Sequence, residues 1–367
     1  MNKNQMIVLG AVAILVIASM AVVITTMGDD DNNRADVTVT DYVGRKVSVS
    51  SVDRIVSVSM NPTAILCGLG VGSNLVGVSG DTGVYSEDGS IIGLTDDDFP
   101  KAVRDGLANG TIKDLGGMYN MSAETMISVE SDLVVCDTYG TKQETWDALE
   151  NLGVTFIVVS GTGFLNDIYN NIELLGKAVR KESKANSLIS EIKNTISKIE
   201  SWCESIVENE LNGKKLDVVL MMTTTYAVGD DYLGGEIIKG LCANNAFGYL
   251  GRYASVTSES ILSANPEVLI YQNLGVGDGV ADPAAFLKSL HNNPILGGID
   301  AAKDGLTFAT IEGAYRSSSS ANQGIARAYA MYAMFIYQDY LTFEIPSVLD
   351  SSNYSHYIDL FWKMINS

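Results

Sequence analysis

The feature that most limits what this chain can become is a repeat. Residues 121–140, MSAETMISVESDLVVCDTYG, align without a gap against residues 256–275, VTSESILSANPEVLIYQNLG. Each copy has a hydroxyl residue, a glutamate two positions on, a short helical stretch, an acidic residue and an apolar run ending near glycine. One such unit cannot bury its apolar face alone. Two of them, on either side of a long helical segment, imply two similar α/β lobes joined by that segment. The space between the lobes is the natural ligand site.

The flanking sequence carries the same alternation. Val37 and Val39, the turn Asp41-Tyr-Val-Gly44, then Val47 and Val49 predict a small hairpin, and Arg54-Ile-Val-Ser-Val58 a buried strand. Asn61-Pro62 opens a helix to Leu69, since proline suits the first helical position and Gly70 a terminus. Val76-Gly-Val78, Leu133-Val-Val135 and Phe156-Ile-Val-Val159 are short strands with helices over 123–129 and 144–152 between them. Strands alternating with helices give a parallel sheet. Residues 80–116, Gly-rich and acidic, read as a long loop with one short helix.

From Phe164 the period changes. Phe164, Ile168, Ile172, Leu175 and Val179 line one face of an amphipathic helix, and Leu188, Ile192, Ile196, Ile199, Cys203 and Val207 line a second. Strands resume over 216–222, 268–271 and 307–309, with helices over 235–241, 285–289 and 322–340. The fold class is therefore α/β, with two doubly wound lobes, parallel-type sheets and a single long bridging helix. The expected division is a membrane anchor or signal over 1–27, a linker over 28–36, an N-terminal lobe over 37–163, the bridging helix over 164–182 and a C-terminal lobe over 183–367.

The first of these segments rests on an uncharged run of 19 residues, Met6 to Ile24, long enough to span a bilayer. A secretory signal has a shorter apolar region, so the run reads as an uncleaved anchor. Lys3 before it and Asp29, Asp30 and Asp31 after it place the rest of the chain outside. No cysteine follows the run, which excludes a bacterial lipoprotein anchor. A net charge of -20 without a basic cluster excludes nucleic acid as a partner. Cys67, Cys136, Cys203 and Cys242 have no paired spacing, and whether they are free thiols or two disulfides stays open. Asn109-Gly-Thr111, Asn120-Met-Ser122 and Asn353-Tyr-Ser355 are N-glycosylation sequons, a pattern that also arises by chance.

Catalytic chemistry finds little support. The chain has only two histidines, His291 and His356, neither in a recognisable motif, so no catalytic residue is assigned. Gly68-Leu-Gly-Val-Gly72 closes a helix and lacks the following Lys-Ser/Thr, so it is not a phosphate loop. Two distant histidines make no zinc or manganese site, and no built-in metal or cofactor is expected.

Taken in order, Asp41-Tyr-Val-Gly-Arg45, Arg54-Ile-Val-Ser-Val58 with Asn61-Pro-Thr63, Leu69-Gly-Val-Gly72 with Leu75-Val-Gly-Val78, residues 124–135, Leu152-Gly-Val154, residues 258–270 and residues 328–334 resemble the substrate-binding proteins of ATP-driven (ABC) importers for iron-siderophores and cobalamin. The resemblance spans residue 36 to the C-terminus and departs at Cys242-Ala243, where the family has a glycine pair, and in residues 80–116.

It implies a shallow cleft between two lobes, small closure, and delivery of a ferric siderophore, cobalamin or haem-like chelate to membrane permease subunits driven by a cytoplasmic ATPase. It implies permease docking by one glutamate per lobe, here Glu124 and Glu259. Each also stabilises its own helix N-terminus locally. A chelate of that kind is large, flat-sided and polar at its edges, which suits aromatic faces, hydroxyls and an arginine. By strand-end position the candidates are Asn61, Tyr85, Tyr139, Tyr226, Tyr232, Tyr315 and Arg316. The competing expectations are a two-lobed chelatase or reductase, which needs titratable groups converging in the cleft, and a surface receptor without a permease.

Overall fold

The computed structural model describes residues 36–79, 101–161, 164–272, 274, 280–311, 324–350 and 352–367. The expected anchor and most of the linker lie outside these residues. Residues 37–367 form one compact unit.

A hairpin opens it. Strands β1 (Val37–Thr40) and β2 (Lys46–Val49) pair antiparallel, with Val37 opposite Val49. Asp41 fixes the turn: its buried carboxyl accepts the Arg45 backbone N–H at 2.9 Å, the Arg45 guanidinium at 2.6 and 3.1 Å, and the Val158 N–H at 3.2 Å. That last bond ties the hairpin to the first sheet.

The first sheet is built from β3 (Ile55–Ser57), β4 (Leu75–Val78), β5 (Lys113–Asp114), β6 (Leu133–Asp137) and β7 (Phe156–Val159), all parallel, in the order β5-β4-β3-β6-β7. Helices α1 (Met60–Gly68), α2 (Lys101–Asn109), α3 (Ala123–Ile127) and α4 (Gln143–Asn151) make the crossovers. β6 and β7 are buried along their whole length, which is why they read as unbroken apolar runs instead of alternating ones. Strand order runs outward from β3 to β5 and then resumes at β6 on the other side. The point of reversal, between β3 and β6, leaves a crevice at the carboxyl ends of the strands.

Two helices follow, α5 (Leu165–Ala178) and α6 (Glu182–Asn209), and then the second sheet. Its strands β8 (Asp217–Met221), β9 (Tyr226–Val228), β10 (Asn244–Asn245), β11 (Tyr253–Ser255), β12 (Val268–Tyr271), β13 (Thr307–Thr310) and β14 (Val348–Leu349) run in the order β11-β9-β8-β12-β13-β14, with β10 also on β8. β8, β10, β12, β13 and β14 are parallel, while β9 and β11 add an antiparallel edge. Order reverses between β8 and β12. Helices α7 (Leu233–Gly240), α8 (Ser258–Ala264), α9 (Pro283–Leu290), α10 (Asp300–Lys303), α11 (Ile325–Ile336) and α12 (Tyr354–Ile365) complete the unit.

A single body of buried side chains serves one face of both sheets. Ile55, Val135 and Ile157 of the first and Val218, Ile270 and Phe308 of the second join through Ile168, Ile172 and Leu175 of α5, Ile192, Ile196 and Ile199 of α6, and Tyr329 to Ile336 of α11. The opposite faces have separate cores, around Val134 and Phe156 in one sheet and Val219 and Leu269 in the other. A core shared on one side resists large hinge motion, because interdigitated side chains do not deform continuously.

The expected bridging helix is shorter than its pattern. α5 has 14 residues, about 21 Å at 1.5 Å per residue, and stops at Ala178. Arg180 then adopts φ 58°, and its guanidinium donates to Val49 O at 3.1 Å and Ser50 O at 3.2 Å. The apolar spacing runs through Val179, and no glycine marks the break, so periodicity alone overran it. α1 likewise starts at Met60 with Ser59 at its N-cap, making Pro62 its third residue. α11 is shorter than 322–340, and the sequence pattern does not predict β5, β9, β10, β11, β14, α10 or α12.

At the turn between α5 and α6 the helices approach closely. A Cβ on buried Gly176 would stand 2.4 Å from Ala185 Cβ. Gly→Ala in a helix ordinarily gains up to about 1 kcal/mol. Here Gly176→Ala is expected to lose about 1–2 kcal/mol in urea unfolding, because overpacking exceeds the propensity gain.

Candidate functional site

The carboxyl ends of β3 and β6 carry a buried polar turn. The Ser59 hydroxyl donates to Asp137 Oδ2, and Asp137 Oδ1 accepts the backbone N–H of Tyr139 at 3.0 Å and of Gly140 at 2.5 Å. Thr141 Oγ1 donates to Asp137 O at 2.6 Å and accepts the Trp146 indole N–H at 2.7 Å. On the β3 side, Thr63 Oγ1 donates to Ser59 O at 2.7 Å and is paired with the Ser57 hydroxyl at 2.8 Å. With its core side satisfied, the turn presents Tyr139 to solvent at 55% exposure, edge-on to Tyr119 with ring centroids 5.7 Å apart. Asn61, half-buried in the first turn of α1, flanks the same reversal point.

The repeat sets Gln272 against Asp137, and both are buried at the end of a central strand. Gln272 N–H donates to Met221 O at 2.7 Å, and Thr310 Oγ1 donates to Gln272 O at 2.6 Å. Next to this end the antiparallel edge gathers three tyrosines. Tyr253 lies 6.3 Å from Tyr226 and 6.1 Å from Tyr232, centroid to centroid, and the Arg252 guanidinium stands 5.7 Å from the Tyr232 ring. Tyr226 and Tyr253 are 44% and 47% exposed.

Two contacts flank the start of α5. Gly161, just beyond β7, lies so close to Tyr139 that a Cβ there would meet Tyr139 Cβ at 2.6 Å. Four residues later, Leu165 N–H at the start of α5 donates to Glu236 Oε2 at 2.8 Å. Glu236 is in the first turn of α7, whose N-cap is Tyr232. The end of β7 thus touches the first tyrosine group, and the first residue of α5 is held by the helix that Tyr232 caps.

Of the candidates from sequence, Tyr226 and Tyr232 come together around Tyr253, Tyr139 pairs with Tyr119, and Asn61 sits beside the Asp137 turn. Tyr85, Tyr315 and Arg316 lie outside the described residues. Sequence reasoning missed Tyr119, Tyr253, Arg252 and Asp137. Only Asp137 left a signal, as a charged residue closing the run Leu-Val-Val-Cys.

Glu124 and Glu259 are exposed second residues of α3 and α8, behind N-caps Ser122 and Thr257 that accept the Thr125 and Ser260 N–H groups at 3.2 Å each. Its own backbone N–H first, then the cap hydroxyl, holds each carboxyl below its ordinary range. A depressed folded-state value means both stay ionised well into mild acid, and any stability they add is lost only as pH falls through that value. The four cysteines are free. Burial pushes the Cys67 and Cys136 thiols up to about 12, so neither is a ready nucleophile or metal ligand. Among the described residues no three His, Cys, Asp or Glu side chains converge as a metal set, and no helix is long and apolar enough to cross a membrane.

Residues 55–310 match the periplasmic binding protein family. An uncharacterized ABC transporter substrate-binding lipoprotein of Bacillus subtilis, YvrC, is 25% identical over 237 residues, 64% of this chain and 68% of that protein. A vitamin B12-binding protein of Vibrio parahaemolyticus is 24% identical over 231 residues, 62% of this chain and 73% of its own length. A periplasmic heme-binding protein from Pseudomonas aeruginosa shares the fold with a TM-score of 0.62 at 17% identity, over 80% of this chain and 96% of the other. The family match covers both strand-end turns and both repeat copies, and the chain belongs to the periplasmic binding protein family.

Proposed function

We propose that the chain is the extracytoplasmic ligand-capturing subunit of an ABC importer, taking a ferric siderophore, cobalamin or haem-like chelate between its strand ends and passing it to a permease. The lobes are residues 37–163 and 183–367, with 164–182 between them and residues 1–27 tethering the chain to the membrane. The observation that supports this reading is a pair of aromatic groups, Tyr119 with Tyr139 and Tyr253 with Tyr226 and Tyr232, each beside a chain-reversal point. Aromatic rings with one polar end suit a flat chelate with a polar rim. The relatives are binding and transport proteins, and the action here is binding without bond making. Glu124 and Glu259 meet basic residues of the permease.

The test is titration of the segment from Asp36 to Ser367 with ferric siderophores, cobalamin, cobinamide and haem, followed by fluorescence and thermal unfolding. Trp146, hydrogen-bonded to the Asp137 turn, is the local reporter. One class is expected to bind with micromolar affinity or better and to raise the melting temperature. Tyr139→Ala and Tyr226→Ala are each expected to weaken it about tenfold, on the order of 1.4 kcal/mol. Silence across the panel would sink the chelate reading and leave a surface receptor.

A further inference from the structure

Capture and docking use none of the three sequon asparagines, and the structure separates them. Asn353 is half-buried at the N-cap of α12, its Nδ2 donating to Val348 O at 3.2 Å and its Oδ1 accepting the Asp350 N–H at 3.0 Å. A sugar on that nitrogen would have to fit beside its bond to Val348 O, against a half-buried turn. Asn120 is exposed, but the hydroxyl of its Ser122 is the N-cap of α3, and Glu124 of the proposed docking face follows four residues on.

Asn109 is different. It ends α2, is exposed, and is followed by Gly110 at φ +76° and exposed Thr111. Its Oδ1 accepts both the Thr111 N–H at 3.0 Å and the Thr111 hydroxyl at 2.8 Å. Among the described residues its Nδ2 has no partner, so the nitrogen that would carry a glycan faces solvent while the oxygen is held. This is the residue pattern of an acceptor site on a surface turn.

We propose that Asn109 is an N-glycan attachment site, whose donor is a lipid-phosphate-linked oligosaccharide. Nδ2 attacks the sugar C1, the N–C1 bond forms as the C1–O bond to phosphate breaks, the lipid phosphate leaves, and one amide proton passes to a base of the transferase. The Thr111 contacts to Oδ1 fix the amide with its NH2 outward. Asn353 is not an acceptor in the folded chain. The inference rests on the extracytoplasmic part of the proposed function, because such donors are used on that side of the membrane.

The full-length chain, purified from its own cells, is digested with trypsin and the peptide 105–113, between Arg104 and Lys113, is weighed as an intact glycopeptide. Enzymatic sugar release is avoided, since an Asn-Gly pair deamidates unaided and gives the same mass change. The expected result is a glycan on this peptide that disappears in Asn109→Gln and Thr111→Ala, persists in Thr111→Ser, and is unaffected by Asn353→Gln. Labelling intact cells with a membrane-impermeant amine reagent reports export independently. A bare peptide from an externally labelled chain, or a glycan on Asn353 in its place, overturns this inference and leaves the importer reading standing. A bare peptide from an unlabelled chain overturns both.

Discussion

Asp137→Ala is expected to lower the free energy of unfolding by about 3 kcal/mol in urea, with little change in the denaturant slope. The side chain is 1% exposed and collects the Ser59 hydroxyl and two backbone N–H groups. Alanine leaves all three donors without this acceptor, those of Ser59 and Gly140 in buried residues, and each buried unsatisfied group costs about 1–3 kcal/mol. Part is recovered by local relaxation, which is why the estimate sits at the lower end of the sum. Asp137→Asn keeps the volume and one acceptor oxygen, and the Ser59 hydroxyl can turn to accept from the new amide, so a loss of about 1–2 kcal/mol is expected. Both variants should also weaken ligand, because the same two N–H bonds aim Tyr139. A loss below about 1 kcal/mol for Asp137→Ala would show that the turn is held by Thr141 and Trp146 instead.

That residue also marks the boundary of what was legible in the sequence. The two-sheet plan could be read because the 121–140 and 256–275 repeat carries hydroxyl cap, glutamate, helix and buried strand in linear order. Each of those features is local, and so is the cap geometry at Ser122 and Thr257. The end of α5 was not legible, since Arg180 enters the left-handed region through contacts with Val49 and Ser50, about 130 residues away. The aromatic grouping was only partly legible. Tyr226 and Tyr232 were reachable from their strand-end positions, but Tyr253 joins them only through the antiparallel edge between β9 and β11. Three-residue strands carry too little period for sequence reasoning to find, and pairing across the edge is a tertiary fact.

Reversing charge at Glu124 and Glu259 is expected to separate capture from delivery. Glu124→Lys and Glu259→Lys should each lower ligand uptake into cells about tenfold, and the double variant should abolish it, while the dissociation constant for ligand stays within about twofold. The carboxyls are fully exposed and, among the described residues, bonded only to their own helix starts, so the substitutions disturb no core. Each lysine does oppose the helix dipole. Ser122→Ala and Thr257→Ala supply the control, since losing the cap costs about 1 kcal/mol of local helix stability and leaves the charge in place. If uptake follows charge and not cap, the glutamates dock; if the cap variants lose uptake equally, their role is confined to the helix ends. The electrostatic account also fixes two dependences. Uptake should fall as salt rises and screens exposed charge. It should stay flat from pH 7 to about 5, because each carboxyl is held below its ordinary range by its own backbone N–H and the cap hydroxyl and stays ionised there.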